Sequence, residues 1–258
     1  MIRGIYTSAS GMLADQKRLD VIANNLANVS TTGYKRDTTV SQTFPDLLLS
    51  RIHDSQQQAA PTIGRLNIGT FVANTATRLT TGSLRQTGNP LDVAIAGDGF
   101  FAVNTPQGVR YTRQGNFVQN EQGVLVTQEG FEVLANGAPV TAAAGALTID
   151  NQGEVTADGN VLGRFDVVSS RDLGAMRKEG NNLWAPAGAG ETSALVSPAE
   201  GNGQYMLKVG FLESSNVEAV TEMVDMMVVM RSFEANQKAL QAQDETLQKA
   251  ATEVGRIG

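Results

Sequence analysis

The chain begins with a helical pattern of hydrophobic and polar residues. Its apolar positions recur alternately every four and every three residues, which is the spacing of a coiled-coil seam. The series is Ile5, Ala9, Met12, Gln16, Leu19, Ala23 and Leu26, with Gln16 as a polar interruption and Asp15 beside it. Because alanine keeps this stripe narrow, we expect the helix to pack closely against a partner and to bury little surface by itself.

The C-terminal part of the chain shows the same spacing more strongly. The series is Met223, Met226, Met230, Phe233, Gln237, Leu240, Asp244 and Leu247. No Gly or Pro occurs between Gly210 and Gly255, so the pattern predicts one helix of roughly 35 to 40 residues. That length exceeds the usual globular range and favours a coiled coil, in which the two terminal helices pair with each other or with neighbouring chains.

Between the helices the pattern changes to alternation and frequent turns. Phe101-Ala-Val follows Gly-Asp-Gly, and Asn104-Thr-Pro-Gln-Gly reads as the loop of a hairpin. Residues 122–130 resemble residues 152–159, which predicts two units of similar turn-strand-turn design. We therefore predict an α+β fold with a central, mainly antiparallel β domain. Its expected segments are an N-terminal helix and turn (1–36), a connector (37–76), the β domain (77–212) and a C-terminal helix (213–258).

Charge and composition exclude several classes of partner. The formal net charge is −6, and the pair Lys35-Arg36 is too short to follow a phosphate backbone, so we expect no nucleic acid. The N-terminus lacks the apolar core of a secretory signal peptide. The apolar run Met226–Met230 is far too short to cross a bilayer, so we expect no membrane span.

Candidate chemistry is sparse, and we predict no catalytic residue, metal or cofactor. His53 is the one histidine of the chain, which disfavours a Ser-His-Asp triad and leaves no histidine cluster for zinc. The Gly97-Asp-Gly sequence lacks the lysine of a phosphate-binding loop. Turn formation explains Asp150-Asn-Gln-Gly better than calcium binding does, because a loop of alternating acidic ligands is absent from the sequence.

Three asparagines near the end of the first helix need an explanation, since Asn is a poor helix former. On a helical wheel Asn24 and Asn28 lie opposite Leu26, and Asn25 lies at the border of the stripe. We expect all three to be solvated in a single chain. Ser30 to Gly33 should form the turn that ends the helix, with Gly33 supplying a positive φ.

Four segments together resemble the bacterial flagellar rod and hook proteins. They are ANNLANVSTTGYKR (23–36), GNPLDVAIAGDGFFAV (88–103), YTRQGNFVQNEQGVLVTQEG (111–130) and FLESSNVEAVTEMVDMMVVMRSFEANQKAL (211–240). The length and the small β region are similar to those of a rod subunit. Leu66–Val72 resembles distal rod proteins and the C-terminal ending resembles proximal ones, so both types stay open.

The resemblance implies a structural role in the flagellar basal body. In such proteins the terminal helices form an inner coiled coil that stacks into a hollow tube, and the β domain faces outward. The tube transmits torque, and its channel carries exported subunits. The implied partners are copies of the chain itself, adjacent rod and hook proteins, and the flagellar type III export apparatus. Phe44 and Leu48 match the early export motif, a Phe followed four residues later by an apolar residue.

The resemblance also implies an assembly interface on both helices. We place it at Asn24, Asn25, Leu26, Asn28, Met223, Met226, Met230, Phe233 and Leu240. A paired amide in such an interface fixes register, because leaving it unsatisfied costs about 1 to 3 kcal/mol. We therefore expect Asn25→Leu or Asn28→Leu to spare the folding of the single chain and to impair assembly.

Alternative functions predict other features. A hook-type or unrelated coiled-coil scaffold would share the helices, and a glycan hydrolase of the cell wall would need two carboxylates facing each other across a groove. For the leading hypothesis we expect the terminal helices to be less ordered than the β domain in a dilute monomer, because neither stripe is wide enough to be self-sufficient.

Overall fold

The computed structural model describes residues 2–45, 47–50, 62–67, 69–142, 147–170, 176–186, 195–196 and 205–254. Over these residues the chain has one long helix near each end and antiparallel strands between them, which confirms the α+β prediction. Helix α1 is Ile2–Ala27 and helix α2 is Ala219–Val254. The strands are β1 (Asp37–Thr43), β2 (Leu47–Ser50), β3 (Thr62–Leu66), β4 (Thr70–Thr77), β5 (Leu84–Gln86), β6 (Val93–Ala96), β7 (Phe100–Thr105), β8 (Gly108–Thr112), β9 (Val118–Gln119), β10 (Leu125–Val126), β11 (Glu132–Ala135), β12 (Ala138–Pro139), β13 (Leu147–Ile149), β14 (Glu154–Ala157), β15 (Asn160–Arg164), β16 (Val167–Ser170), β17 (Met176–Gly180), β18 (Leu183–Pro186), β19 (Leu195–Val196), β20 (Met206–Val209) and β21 (Phe211–Glu213).

The chain forms two compact units, each built from separate stretches of sequence. The helical unit comprises Met1–Ala27, Arg36–Arg78 and Glu218–Gly258, and the β unit comprises Asn28–Lys35 and Leu79–Val217. The expected connector, residues 37–76, contributes strands that the sequence pattern did not indicate. In the helical unit β1 pairs antiparallel with β4, and β2 pairs antiparallel with β3.

The two helices of the helical unit pack antiparallel, with contacts that recur every seven residues. Gly4 faces Gln243, and one heptad further along α1 Gly11 faces Asn236. Two heptads beyond Gly11, the Asn25 amide contacts Glu222. A methyl group at Gly4 would collide with the Gln243 side chain, so the missing Cβ lets the helices approach closely.

The observed seam of α2 corrects the predicted one at alternate positions. Met226, Phe233, Leu240 and Leu247 are half-buried, as the spacing predicts. The intervening positions are displaced by one residue, because Glu222 and Val229 are buried whereas Met223 and Met230 are exposed. Each residue of a helix advances about 100°, so α2 is turned by about 50° from the orientation that its apolar stripe predicts.

The buried side of α1 accounts for this rotation, because it contains polar residues beside Ala14 and Ile22. Ser8, Asp15 and Asn25 are buried, whereas Gln16 and Ala23, which belong to the predicted stripe, are exposed. Buried polar groups are costly unless they are hydrogen-bonded. The polar side chains of α2 therefore face α1, and much of the apolar surface of α2 is left outward.

The core of the β unit is built around β7. Phe101 and Val103 on one face join the main cluster, where the Phe101 and Phe117 rings meet edge to face at 5.2 Å. Phe100 on the other face packs in a smaller cluster whose members include Trp184. Both faces of β7 are buried because successive side chains of a strand point to opposite sides. The main sheet has the strand order β17-β18-β8-β7-β11-β10-β9.

The turns predicted from sequence are present. Strand β7 ends at Thr105 and β8 begins at Gly108, which confirms the hairpin. The Oδ1 atoms of Asn120 and Asp150 each accept hydrogen bonds from the backbone N–H groups two and four residues later. Three residues after Asn120 and Asp150 the chain has a glycine with a positive φ, which is 80° at Gly123 and 81° at Gly153. The internal similarity in sequence thus corresponds to two turns of the same geometry.

Candidate functional site

The segment Asn28–Lys35, which we call the docked segment, follows α1 and packs into the β unit. Tyr34 and Lys35 are almost completely buried. The Gly33 N–H donates to the Glu213 carbonyl oxygen at 2.8 Å, and the Asn216 N–H donates to the Tyr34 carbonyl oxygen at 3.4 Å. The segment predicted as a simple helix-ending turn is therefore an integral part of the β unit.

Gly33 makes the tightest approach of the docked segment. Its φ is +67°, which confirms the positive value expected from sequence. A Cβ atom at this position would lie 2.6 Å from the carbonyl carbon of Arg113. Both the backbone conformation and the available space thus require glycine here.

A buried ion cluster holds the docked segment in the β unit. Lys35 Nζ donates to Glu213 Oε1 at 2.6 Å, and Arg113 Nη1 donates to Glu213 Oε2 at 3.4 Å. The Gly82 N–H also donates to Glu213 Oε1, at 2.8 Å. All three charged side chains are at most 3% exposed. One carboxylate therefore serves two cations and a backbone amide.

Backbone carbonyl groups compensate the second positive charge. Lys35 Nζ donates to the Thr80 carbonyl oxygen at 3.0 Å, and Arg113 Nη2 donates to the Gly97 carbonyl oxygen at 2.8 Å. Burial lowers the pKa of Lys35 from its ordinary value, and the charge of Glu213 offsets part of that effect. The pKa of Arg113 is lowered for the same reason and is opposed by the same carboxylate. The cluster is thus stable only while its carboxylate and carbonyl partners stay in place.

Arg36, the residue after the docked segment, belongs to the helical unit and pairs with a different glutamate. Its Nε forms an ion pair with Glu222 Oε1, and its Nη2 donates to Asp225 Oδ2 at 3.3 Å. Glu222 also accepts from the Asn25 amide at 3.4 Å. Two neighbouring basic residues, Lys35 and Arg36, are therefore anchored in separate units by separate carboxylates.

The expectation that Asn25 is solvated in the single chain is wrong. Its side chain is 0% exposed. Asn25 Nδ2 donates to the Asp37 carbonyl oxygen at 2.8 Å, and Asn25 Oδ1 accepts from the Asp37 N–H at 3.0 Å. The amide thereby pairs with the backbone at the start of β1 as another strand would. Its partners lie within the same chain, so a wheel drawn for α1 alone could not show them.

The other predicted residues near this helix end lie in different environments. Asn24 is exposed, and Leu26 is half-buried. Asn28 lies beyond the end of α1, and its Oδ1 accepts a hydrogen bond from the Thr31 hydroxyl at 3.2 Å. It is a residue of the helix-ending turn and does not lie on the polar face of the helix.

The first half of α2 has a broad exposed apolar surface, which we call the α2 outer face. It consists of Val220, Met223, Val224, Met227, Val228 and Met230. Their exposed fractions run from 45% to 66%. Two of these residues, Met223 and Met230, belong to the predicted assembly interface, whereas Met226, Phe233 and Leu240 are half-buried at the seam with α1.

The predicted export motif lies in the helical unit. The Phe44 ring packs against the Phe71 ring with centroids 5.0 Å apart, and the Phe44 N–H donates to the Gly69 carbonyl oxygen at 3.0 Å. Leu48 lies in β2. His53 lies outside the described residues.

The residues that sequence reasoning missed are mostly charged. Lys35, Arg113 and Glu213 gave no signal, because charged residues are rarely buried and only tertiary pairing makes their burial tolerable. Asp15 gave only an indirect signal, since it lies beside Gln16, the polar residue that interrupts the apolar spacing of α1. Within the described residues, no helix has an apolar stretch long enough to cross a membrane. The same residues contain no group of three acidic or histidine side chains arranged to hold a metal ion.

Three family models match the chain, and each covers a region described above. "Flagella basal body rod protein" matches residues 5–35, which include most of α1 and the docked segment. "Flagellar hook protein FlgE/F/G D1 domain" matches residues 94–157 of the β unit. "Flagellar basal body rod FlgEFG protein C-terminal" matches residues 208–253, which include nearly all of α2.

Full-length relatives agree with these models. The flagellar hook-basal body complex protein FlhO of Bacillus subtilis is 35% identical over 276 aligned residues, with 100% of both chains covered. The flagellar basal-body rod protein FlgG of the same species is 36% identical, with 96% of this chain and 98% of the relative covered. The flagellar basal-body rod protein FlgF of Caulobacter vibrioides is 31% identical, with 100% of both covered.

Replacing Gly33 should destabilise the β unit more than replacing a glycine of similar φ in open space. Gly88 is the matched control, because its φ is +76° and no atom lies within 4 Å of a Cβ built there. Gly88→Ala should cost about 1 to 2 kcal/mol from backbone strain. Gly33→Ala should cost about 1 to 3 kcal/mol more, from collision with the Arg113 backbone. Urea unfolding followed by fluorescence of Trp184, the one tryptophan of the chain, measures both; equal losses would contradict the steric account.

Replacing Asn25 should loosen the helical unit of the single chain. Asn25→Leu removes both hydrogen bonds between the buried amide and the Asp37 backbone, at a cost of about 1 to 3 kcal/mol in total. Gln16→Leu, at an exposed amide of the same helix, is the matched control and should change stability by less than about 0.5 kcal/mol. Hydrogen exchange of the α1 and α2 amides should accelerate only in Asn25→Leu. Equal protection of these amides in the two variants would support the expectation from sequence that Asn25 is solvated in the single chain.

Proposed function

Since this chain belongs to the flagellar basal-body rod protein family, we propose that its helix pair forms a coiled coil through which copies of the chain stack into the rod. The chain is a structural subunit of the flagellar basal body. The proposal assigns no reaction to it. Its partners are further copies of itself and the adjacent rod and hook proteins.

The observation that carries this proposal is the geometry of α1 and α2. Their contacts recur at heptad spacing from Gly4 and Gln243 to Asn25 and Glu222. A seven-residue repeat of contacts is what a two-helix coiled coil requires. The same pairing leaves the α2 outer face exposed in the single chain. A seam that is satisfied internally, beside an apolar face that is not covered, supports a subunit designed for further packing.

A second copy of the chain is the occupant that we propose for the α2 outer face. Exposed apolar patches of this kind mark interaction surfaces in soluble proteins. All six of its residues are valines or methionines. Methionine adapts its shape to a partner surface. We propose that Met223 and Met230 from the predicted set belong to this interface, together with Asn24, which is exposed on α1.

The contact between copies would be heterologous, joining the α2 outer face of one subunit to a different surface of the next. Contacts of this type that do not close into a ring generate helical filaments. A hollow filament of this kind would carry torque along its axis and let exported subunits pass through its channel. Both properties would follow from subunit geometry alone.

We also propose that Phe44 and Leu48 address the chain to the flagellar type III export apparatus. Phe44 is 41% exposed in the folded chain, but one face of its ring rests on Phe71. An export receptor that binds the whole ring would therefore act on the chain before β1 and β4 pair. The folded contact and the export contact use the same side chain at different times.

Charge on the α2 outer face should block rod assembly without unfolding the subunit. Met223→Lys and Met227→Lys place a cation at positions that are 45% and 54% exposed, so each should change monomer stability by less than about 0.5 kcal/mol. Val161→Lys, at a position of the β unit that is 60% exposed, is the matched control. Electron microscopy of basal bodies and swimming assays should show lost rods in the first two variants and normal rods in the control. Normal rods in all three would remove the α2 outer face from the assembly interface.

Export should depend on Phe44 and not on its ring partner. Phe44→Ala and Phe71→Ala both abolish the contact between the two rings, so the folded chain loses the same interaction in each. Burial of a phenyl ring in a receptor is worth about 1.5 to 3 kcal/mol, which corresponds to roughly tenfold to a hundredfold in binding. Secretion should therefore fall at least about tenfold in Phe44→Ala only. An equal fall in Phe71→Ala would mean that the loss of secretion comes from disturbing the paired strands β1 and β4, and not from lost recognition of Phe44 by the export apparatus.

A further inference from the structure

Helix α2 packs its more polar side against α1 and leaves its more apolar side outward. Val229 is 1% exposed, whereas the next residue, Met230, is 49% exposed. Hydrophobic burial alone would favour an orientation with Met223 and Met230 in the seam, because two methionines offer more apolar area than Glu222 and Val229 do. Some other interaction must select the face that packs.

Asp15 has the position and the partners to make this selection. Its side chain is buried in the seam, about midway along α1. Its Oδ2 atom accepts from the Ser232 hydroxyl at 2.8 Å and from the Asn236 amide at 3.2 Å. A buried carboxylate without donors is strongly unfavourable. The orientation of α2 that satisfies Asp15 is therefore the one that presents Ser232 and Asn236.

The alternative orientation would leave Asp15 poorly satisfied. Turning α2 by about 50°, so that Met230 faces α1, would carry Ser232 and Asn236 away from the carboxylate and bring the Phe233 ring toward it. At the other end of the pair Glu222, which lies on the same stripe, would leave Asn25 and Arg36. The polar contacts thus oppose the rotation that the apolar side chains favour.

We propose that Asp15 is a positioning residue that selects the packed face of α2 and thereby keeps Met223 and Met230 of the α2 outer face free for a second copy of the chain. The use of the free face rests on the proposed function; the selection itself is a property of the single chain. Buried polar groups that fix the arrangement of paired helices at some expense of stability are known from coiled coils. In this chain the buried carboxylate would fix the rotation of α2 about its own axis.

Hydrogen bonding is the property of Asp15 that matters in this proposal. Asparagine has nearly the same shape and keeps an oxygen that accepts from Ser232 and Asn236. Asp15→Asn should therefore preserve the orientation of α2. Asp15→Leu removes the acceptor and adds an apolar side chain, so the helix should turn its methionines inward.

Thiol labelling of the purified full-length monomer tests the proposal directly. The chain has no cysteine, so Val229→Cys and Met230→Cys each introduce a single reporter. In the parent background the thiol at 230 should react with iodoacetamide much faster than the thiol at 229. In the Asp15→Leu background the order should reverse, with a change of roughly tenfold in the ratio of rates. Asp15→Asn should restore the parent ratio.

Other outcomes overturn the proposal. A rise of both rates in Asp15→Leu would mean that the helix pair had merely loosened, and unchanged rates would mean that Asp15 does not select the face. Where Asp15→Leu fails to fold, the double variant Ser232→Ala with Asn236→Leu removes the donors from the other side and should give the same reversal. The labelling uses monomer, so its result stands apart from rod assembly. Normal rods in Met227→Lys would remove the proposed role of the outer face and leave the selection by Asp15 intact.

Discussion

The Glu213 carboxylate is the point at which four separate stretches of the β unit meet. It binds Lys35 of the docked segment, the Gly82 amide, and Arg113 after β8, while its own backbone oxygen accepts from Gly33. Removing one member of such a buried cluster leaves another charge without compensation, which costs about 3 to 5 kcal/mol. The cluster therefore makes the path of the docked segment depend on the C-terminal end of the β unit.

Polar interactions also govern the helical unit, although its sequence pattern is apolar. Asn25, Asp15 and Glu222 each contact the opposite helix or the start of β1. Apolar contacts are non-directional and tolerate rotation and sliding, whereas hydrogen bonds to buried groups do not. The methionines and valines of α2 form the exposed apolar surface, and the polar residues determine the direction in which that surface faces.

The chain combines a well-packed β unit with a helical unit that carries an exposed apolar surface. The β unit has aromatic packing on both faces of its central strand, and a tryptophan fills its second cluster. The helical unit has a narrow seam containing Gly4 and Gly11, and the α2 outer face is exposed beside it. Covering that face with another subunit, as proposed above, would bury further apolar area.

Much of the fold and part of the candidate site could be predicted from the sequence. The heptad spacing indicated both helices, the alternation and the Gly-rich turns indicated the antiparallel strands, and the similarity of residues 122–130 to 152–159 corresponded to equivalent turns. These features are set by local periodicity and backbone preference, so a short stretch of chain contains all the information they need. The positive φ of Gly33 belongs to the same class.

The burial of Asn25, the rotation of α2 and the meeting of charges at Glu213 could not be read in this way. Each depends on partners distant in sequence, such as Asp37 for Asn25 and Ser232 for Asp15. A polar residue has the same local pattern whether water or a distant side chain satisfies it. The sequence by itself determined where the helices, strands and turns form; only the tertiary structure decided which of their faces are satisfied within the chain and which stay open, because that choice depends on hydrogen-bond partners brought together by folding.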